Sequence, residues 1–173
     1  MKVIDNLIAE TKWLRLLTRR YTSKNGNVMS WDFVERKNNV EAVVIVARTE
    51  LTGSYLILKQ FRPSFNDYIY EFPAGLIDPA ESPRAAALRE LREETGYDGI
   101  VTKCSKVLSS SGGLTNEKIY LVYVEAHQIP SSEPELEPGE NIELIKLKPE
   151  NVEEFLRQNV IFDAKLYAIL NGR

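Results

Sequence analysis

The 173-residue sequence contains one cysteine, Cys104, and one histidine, His127. A single thiol excludes an internal disulfide, and the pair provides no cysteine- or histidine-based zinc centre. Both read as structural residues. No apolar run approaches the ~20 residues that a membrane-spanning helix needs. The opening Met1-Lys2-Val3-Ile4-Asp5 is broken by Asp5, Asn6 and Glu10, so it lacks the apolar stretch of a secretory signal. Charge of one sign is also missing. With 22 Lys and Arg against 25 Asp and Glu, the net charge of −3 gives no electrostatic footprint for nucleic acid or for a polybasic membrane anchor. The expectation is a protein of the reducing cytoplasm with no nucleic-acid and no membrane partner. Any hydrolytic chemistry in such a chain must rest on carboxylates.

What is present is a globular composition. The 43% of hydrophobic residues is too high for a solvated chain, and the length suits one ordinary core. Residues 11–22 and 28–36 read as two strands around Ser23-Lys24-Asn25-Gly26, a hairpin turn. Strands are predicted at 41–48 and 55–61, followed by an irregular stretch rich in proline and glycine over 62–81. Ser82-Pro83 opens a helix that runs through Glu94 and stops at Gly96. Further strands are expected at 101–108, 118–125 and 142–147, with closing helices at 149–158 and 163–170. Between them, residues 128–141 (QIPSSEPELEPGEN) have the composition of a disordered tether. Strands mixed with helices favour an α/β (α+β) architecture, a mixed sheet covered by helices.

The informative stretch is GLIDPAESPRAAALRELREETGY, from Gly75 to Tyr97. On a helix, Glu90, Glu93 and Glu94 are spaced i, i+3, i+4 and share one face, while Leu88 and Leu91 with Ala85 and Ala87 supply an apolar side. Like charges one turn apart repel unless something positive intervenes. Arg89, four residues before Glu93, is placed to orient that carboxylate and offset the repulsion. Hard carboxylate oxygens suit Mg²⁺ or Mn²⁺. A glutamate-rich helix face is usually only solvated surface, but such a face needs neither the stop at Gly96 nor Gly75 and Glu81 at set distances before it.

The stretch resembles the Nudix box: glycine, five residues, glutamate, seven residues, then Arg-Glu-aliphatic-any-Glu-Glu-any-Gly-aliphatic. Gly75, Glu81, Arg89, Glu90, Leu91, Glu93, Glu94 and Gly96 match; Tyr97 stands where an aliphatic residue is usual, at a packing position. The resemblance implies a Nudix hydrolase, an α/β/α sandwich around a mixed β-sheet that cleaves a nucleoside diphosphate linked to another moiety. Lys59-Gln60-Phe61-Arg62-Pro63, Glu71 to Asp78, Ser111 to Glu117 and Asp163-Ala164-Lys165 are similar to the ADP-ribose (ADP-sugar) pyrophosphatase branch. By that resemblance, residues 1–39 form an N-terminal β-hairpin region that packs in a homodimer and contacts substrate, and residues 40–173 form the hydrolase domain.

The same resemblance implies the site. Glu90, Glu93, Glu94 and the Ala74 carbonyl are the expected ligands of Mg²⁺, with Mn²⁺ as the alternative. Glu93 and Arg89 also belong to the catalytic set. The general base is a loop glutamate after the box, best aligned with Glu140, with Glu143 and Glu137 as alternatives. The acidic 128–141 loop then becomes an active-site lid rather than a tether. Trp13 and Trp31 stack on adenine or anchor a subunit interface, and Arg36, Arg62 and Leu114 contact the substrate. The expected reaction converts a small-molecule nucleotide sugar, ADP-ribose, with water into AMP and ribose 5-phosphate. UDP-glucose or another nucleotide sugar, or a non-catalytic ADP-ribose-sensing module, are the rival readings.

Overall fold

In the computed structural model, residues 3–172 are described, and they divide into two compact units. The first unit runs to Ala42 and takes in Val107–Ile119 as well. Its centre is an antiparallel sheet of β1 (Val3–Glu10), β2 (Leu14–Thr22) and β3 (Val28–Arg36), in that order. The β2–β3 hairpin is the expected one. Its turn closes through Gly26 N–H to Ser23 O at 3.0 Å, with Gly26 at φ +82°, a conformation that suits glycine. In register, Leu17 faces Phe33 and Arg19 faces Trp31, and Leu17 and Phe33 are the buried pair.

No strand is expected before Thr11, yet β1 pairs with β2 from Val3–Tyr21 to Glu10–Arg15. Its sequence, VIDNLIAE, does not alternate, and every residue in it is exposed within this chain. A strand with no buried face carries no period-2 signal. The ladder and the Asp5–Arg19 ion pair at 2.7 Å accompany it instead. A 3-10 turn, Lys37–Asn39, follows β3.

The second unit spans Val43–Lys106 and Tyr120–Arg173. Its strands are β4 (Ala42–Thr49), β5 (Tyr55–Arg62), β6 (Asp67–Glu71), β7 (Ala74–Leu76), β8 (Gly99–Cys104), β10 (Lys118–Ala126), β11 (Ile142–Leu147) and β12 (Ile161–Phe162). The short β9 (Leu108–Ser109) belongs to the first unit and pairs with Lys118 and Ile119. The sheet order is β12-β6-β5-β4-β10-β8, with β11 beside β5 and β7 beside β4; β12 is parallel to β6, so the sheet is mixed.

Three expectations need correction here. Residues 62–81 are not irregular throughout: β6 pairs with β5 from Arg62–Asp67 to Leu58–Glu71, and β7 pairs with β4. Pro63 and Pro73 flank β6 and hide a five-residue strand from any composition reading. The strand expected over 101–108 ends at Cys104, and the helix expected over 149–158 is a 3-10 turn, Pro149–Asn151, followed by the short α2 (Val152–Leu156).

Helix α1 (Pro83–Thr95) has the predicted caps. Ser82 Oγ accepts from Ala85 N–H at 3.2 Å, Pro83 takes the first helical position, and Gly96 closes the end at φ +74°. Ala86, Ala87 and Leu91 of α1 pack with Val43, Ile45 and Leu56 of the sheet and with Val122 and Val124 of β10. Tyr97 joins this core, so the residue that departs from the box pattern does serve packing. Helix α3 (Ala164–Asn171) starts from Asp163, whose carboxylate accepts from the Lys165 and Leu166 amides. Among the described residues no helix is long and apolar enough to cross a membrane.

Candidate active site

With its apolar side on the sheet, α1 turns its glutamates toward the β7 segment. Glu94 is buried, and its carboxylate accepts the Ala74 N–H at 3.0 Å. Glu90 lies against Gly75 so closely that a Cβ there would sit 2.0 Å from the Glu90 carboxylate. Any larger residue at 75 would expel that side chain, which explains why the loop needs glycine.

Arg89 is the hub. It grips Glu81 through two bonds, Nε to Oε1 at 3.2 Å and Nη2 to Oε2 at 3.0 Å, and reaches the Leu76 carbonyl at 3.0 Å. Its Nη1 bridges Glu90 Oε1 and Glu93 Oε2, both at 2.9 Å. Glu81, matched in the box but given no role by the sequence, therefore holds the arginine that holds two other glutamates. The three helix carboxylates share a face yet differ in depth: the Glu90 side chain is 15% exposed and the Glu93 side chain 40%.

The electrostatics separate the set further. Burial pushes the Glu94 carboxyl up to about 8, against the Ala74 N–H and with help from the charges of Glu90, Glu140 and Glu71. Burial also raises Glu90; Arg89 opposes it, while Glu93 and Glu140 add to it. Glu81 moves the other way, held low by Arg89. Glu71, on β6, is a further buried carboxylate raised by burial, and Arg62 Nε donates to it at 2.8 Å. Sequence reading gave Arg62 a role but missed Glu71 as its partner, because the pairing depends on the unpredicted β6.

Among the described residues, no three Asp, Glu, His or Cys side chains stand close enough to enclose an ion. The donor chemistry still fits Mg²⁺, which is ordinarily held by one or two carboxylates with water and substrate phosphates rather than by an all-protein cage. Glu90 and Glu94 are such a pair, each raised first by burial.

Among the loop glutamates, Glu143 is committed to Lys59 at 3.0 Å. Glu140 closes a turn: its Oε2 accepts from Glu137 N–H at 2.8 Å, and its N–H donates to Glu137 O at 2.9 Å. In the first unit, Trp31 Nε1 donates to Gly113 O at 3.2 Å, Leu114 O accepts from Val34 N–H at 2.9 Å, and Arg36 pairs with Glu117 at 2.7 Å. Trp13 is exposed, with Lys12 over its ring.

A mixed sheet, a capped helix bearing an arginine-clamped glutamate cluster, and a glycine at the helix's facing loop define a Nudix-type site. The chain belongs to the NUDIX domain family, which it matches over residues 37–169. It is 34% identical to the ADP-sugar pyrophosphatase of Mus musculus over 95% of this chain and 83% of that one. It is 31% identical to the ADP-ribose pyrophosphatase of Saccharomyces cerevisiae over 95% and 78%. Its fold is similar to that of a solved ADP compounds hydrolase, with a TM-score of 0.76 at 22% identity over 99% of this chain and 90% of the other. The protein is a Nudix hydrolase.

Proposed function

We propose that this hydrolase cleaves the pyrophosphate bond of ADP-ribose and related ADP-sugars, adding water across it to release AMP and the sugar phosphate, which is ribose 5-phosphate for ADP-ribose. Its relatives named as ADP-sugar and ADP-ribose pyrophosphatases cover nearly the whole chain. The observation that carries the reading is the desolvated pair Glu90 and Glu94 against Gly75 and Ala74. These two are the groups to hold Mg²⁺ (or Mn²⁺), and Glu93 with the Ala74 carbonyl would complete the set by closing on the cation, since among the described residues no three side chains enclose it beforehand. The bound cation offsets the diphosphate charge and lowers the pKa of water beside it. Arg89 keeps Glu90 and Glu93 oriented, and Arg62, backed by Glu71, offers its remaining guanidinium N–H groups to a phosphate oxygen.

Glu140 is the proposed general base. Supporting it over Glu143 is the ion pair that occupies Glu143, together with the influence of the Glu140 charge on both Glu90 and Glu94. Trp13 and Trp31 are the proposed adenine contacts, with Arg36 and Leu114 beside the substrate. Trp31 lies five residues along β3 from Arg36, whose partner Leu14 adjoins Trp13. That is roughly 17 Å at strand rise, whereas two indoles gripping one adenine need about 7 Å. This favours a homodimer in which each protomer gives one face, and the exposed Val3, Ile4, Leu7 and Ile8 of β1 suit burial by a second copy. A cytoplasmic location is consistent with the free Cys104. A panel of ADP-ribose, UDP-glucose and other nucleotide sugars, with Mg²⁺ or EDTA, tests the proposal. Mg²⁺-dependent release of AMP from ADP-ribose in preference to the others is expected; its absence overturns the assignment.

A further inference from the structure

The last carbonyls of a helix have no partner within it; at the end of α1 the acidic loop takes that of Glu93 and that of the cap residue Gly96. Glu135 N–H donates to Glu93 O at 2.7 Å, and Ser131 and Ser132 N–H both donate to Gly96 O, at 2.8 and 3.2 Å. The Ser131 side chain also bonds the Asp98 carboxylate, which Arg92 of α1 holds from the other side at 2.7 Å. Gly96 makes room for this: a Cβ there would stand 2.1 Å from Ser132 O. Its glycine thus serves two needs, the left-handed cap and the close passage of the loop. The composition that suggested a disordered tether is misleading, because the segment is bound through its backbone, which composition does not reveal. Charge does not explain the docking, since Glu133 and Glu135 stand at the negative end of a helix dipole.

Beyond Glu135, the chain closes the 137–140 turn, and Asn141 is fixed at once: its O accepts from Phe61 N–H at 3.1 Å and its Nδ2 donates to the Tyr68 hydroxyl at 2.9 Å. Glu140 is therefore clamped from both sides, and one clamp is the helix that carries Glu90 and Glu94. We propose that residues 131–135 are a strap that sets the position of Glu140 against α1, with Gly96 and the Glu135 amide as positioning residues for turnover. This rests on the reading of Glu140 as the base.

Two variants test the strap: Gly96→Ala, which pushes it off, and Glu135→Pro, which deletes one donor without touching the helix cap. Hydrogen exchange and steady-state kinetics on ADP-ribose with Mg²⁺ are read on the full chain. In the wild type the amides of 131, 132 and 135 are expected to be protected, and each variant should lose protection there. A kcat reduced about tenfold or more, as displacement of a reacting group predicts, should come with KM and Mg²⁺ half-saturation within twofold of wild type. Free-peptide exchange of these amides in the wild type overturns the strap. So does lost protection with undiminished kcat, or a Mg²⁺ half-saturation that worsens in step with kcat. Protected amides in a wild type that leaves ADP-ribose intact support the strap and overturn the substrate reading instead.

Discussion

The carboxylates of the β1–β3 sheet and those around α1 are the same chemical group under opposite treatment. Asp5 and Glu10 lie at the surface, and Arg19, Lys37 and Arg15 hold them below the usual carboxylate range. Glu94, Glu90 and Glu71 are raised, each first by burial. Ion pairing prevails in the first set, whereas in the second burial outweighs the partners present, Arg89 on Glu90, Arg62 on Glu71 and the Ala74 N–H on Glu94. Carboxylates raised by burial in this way cluster at functional sites. The contrast therefore sets Glu94, Glu90 and Glu71 apart from the surface pairs Asp5 and Glu10 in a way that spacing alone does not.

The largest effect is expected from Glu94→Gln. We expect kcat on ADP-ribose to fall by about 10³-fold or more, while the Tm in EDTA at pH 8 rises because an ionised buried group is gone. A variant that keeps its turnover, or loses Tm at pH 8, contradicts the reading of Glu94. Next in size is Glu140→Gln, which should lower kcat by about 10²-fold and leave KM nearly unchanged; near-normal turnover would assign the base to another residue.

The stability of the metal-free protein should also depend on pH. The folded Glu94 holds its proton up to about 8, while the unfolded chain releases it near 4.5. The folded state therefore binds more protons between these values, and stability falls as pH rises through them, levelling off above about 8. Glu90 and Glu71 act in the same direction. Thermal unfolding in EDTA should show Tm declining from pH 5 to pH 8, a decline that Mg²⁺ reverses and Glu94→Gln flattens. A flat or rising wild-type profile in EDTA would count against burial as the cause. The smallest effect belongs to the surface set. Asp5→Asn should cost about 0.5 kcal/mol or less by chemical denaturation, and a loss of several times that would erase the distinction between the two regions.

Much of this was legible in the sequence, and the reasons differ by element. The ends of α1 carry local chemistry, Ser82-Pro83 and Gly96, that acts within one turn and so can be read residue by residue. Strand β11 was also read to its ends, Ile142–Leu147. Strand β1 was missed because neither of its faces is buried within the chain, and β6 because prolines bracket it. The site was legible as a spacing of glutamates, but not as a hierarchy. That Glu94 is sealed in, Glu93 half open and Glu81 committed to Arg89 depends on how deeply α1 packs and where β7 runs. Glu71 is the clearest case of what spacing omits. Its burial beside Arg62 exists only once β5 and β6 pair.

Burial holds the Glu94 carboxyl up at about 8, so at pH 7 it should be protonated in the metal-free protein and give up that proton when a divalent cation takes its place. Calorimetric titration of Mn²⁺ or Mg²⁺ at pH 7, repeated in buffers of different ionisation enthalpy, counts the protons released. Release approaching one proton per cation in the wild type, and none in Glu94→Gln, is the predicted result. Cation binding with equal proton release in both proteins would contradict it.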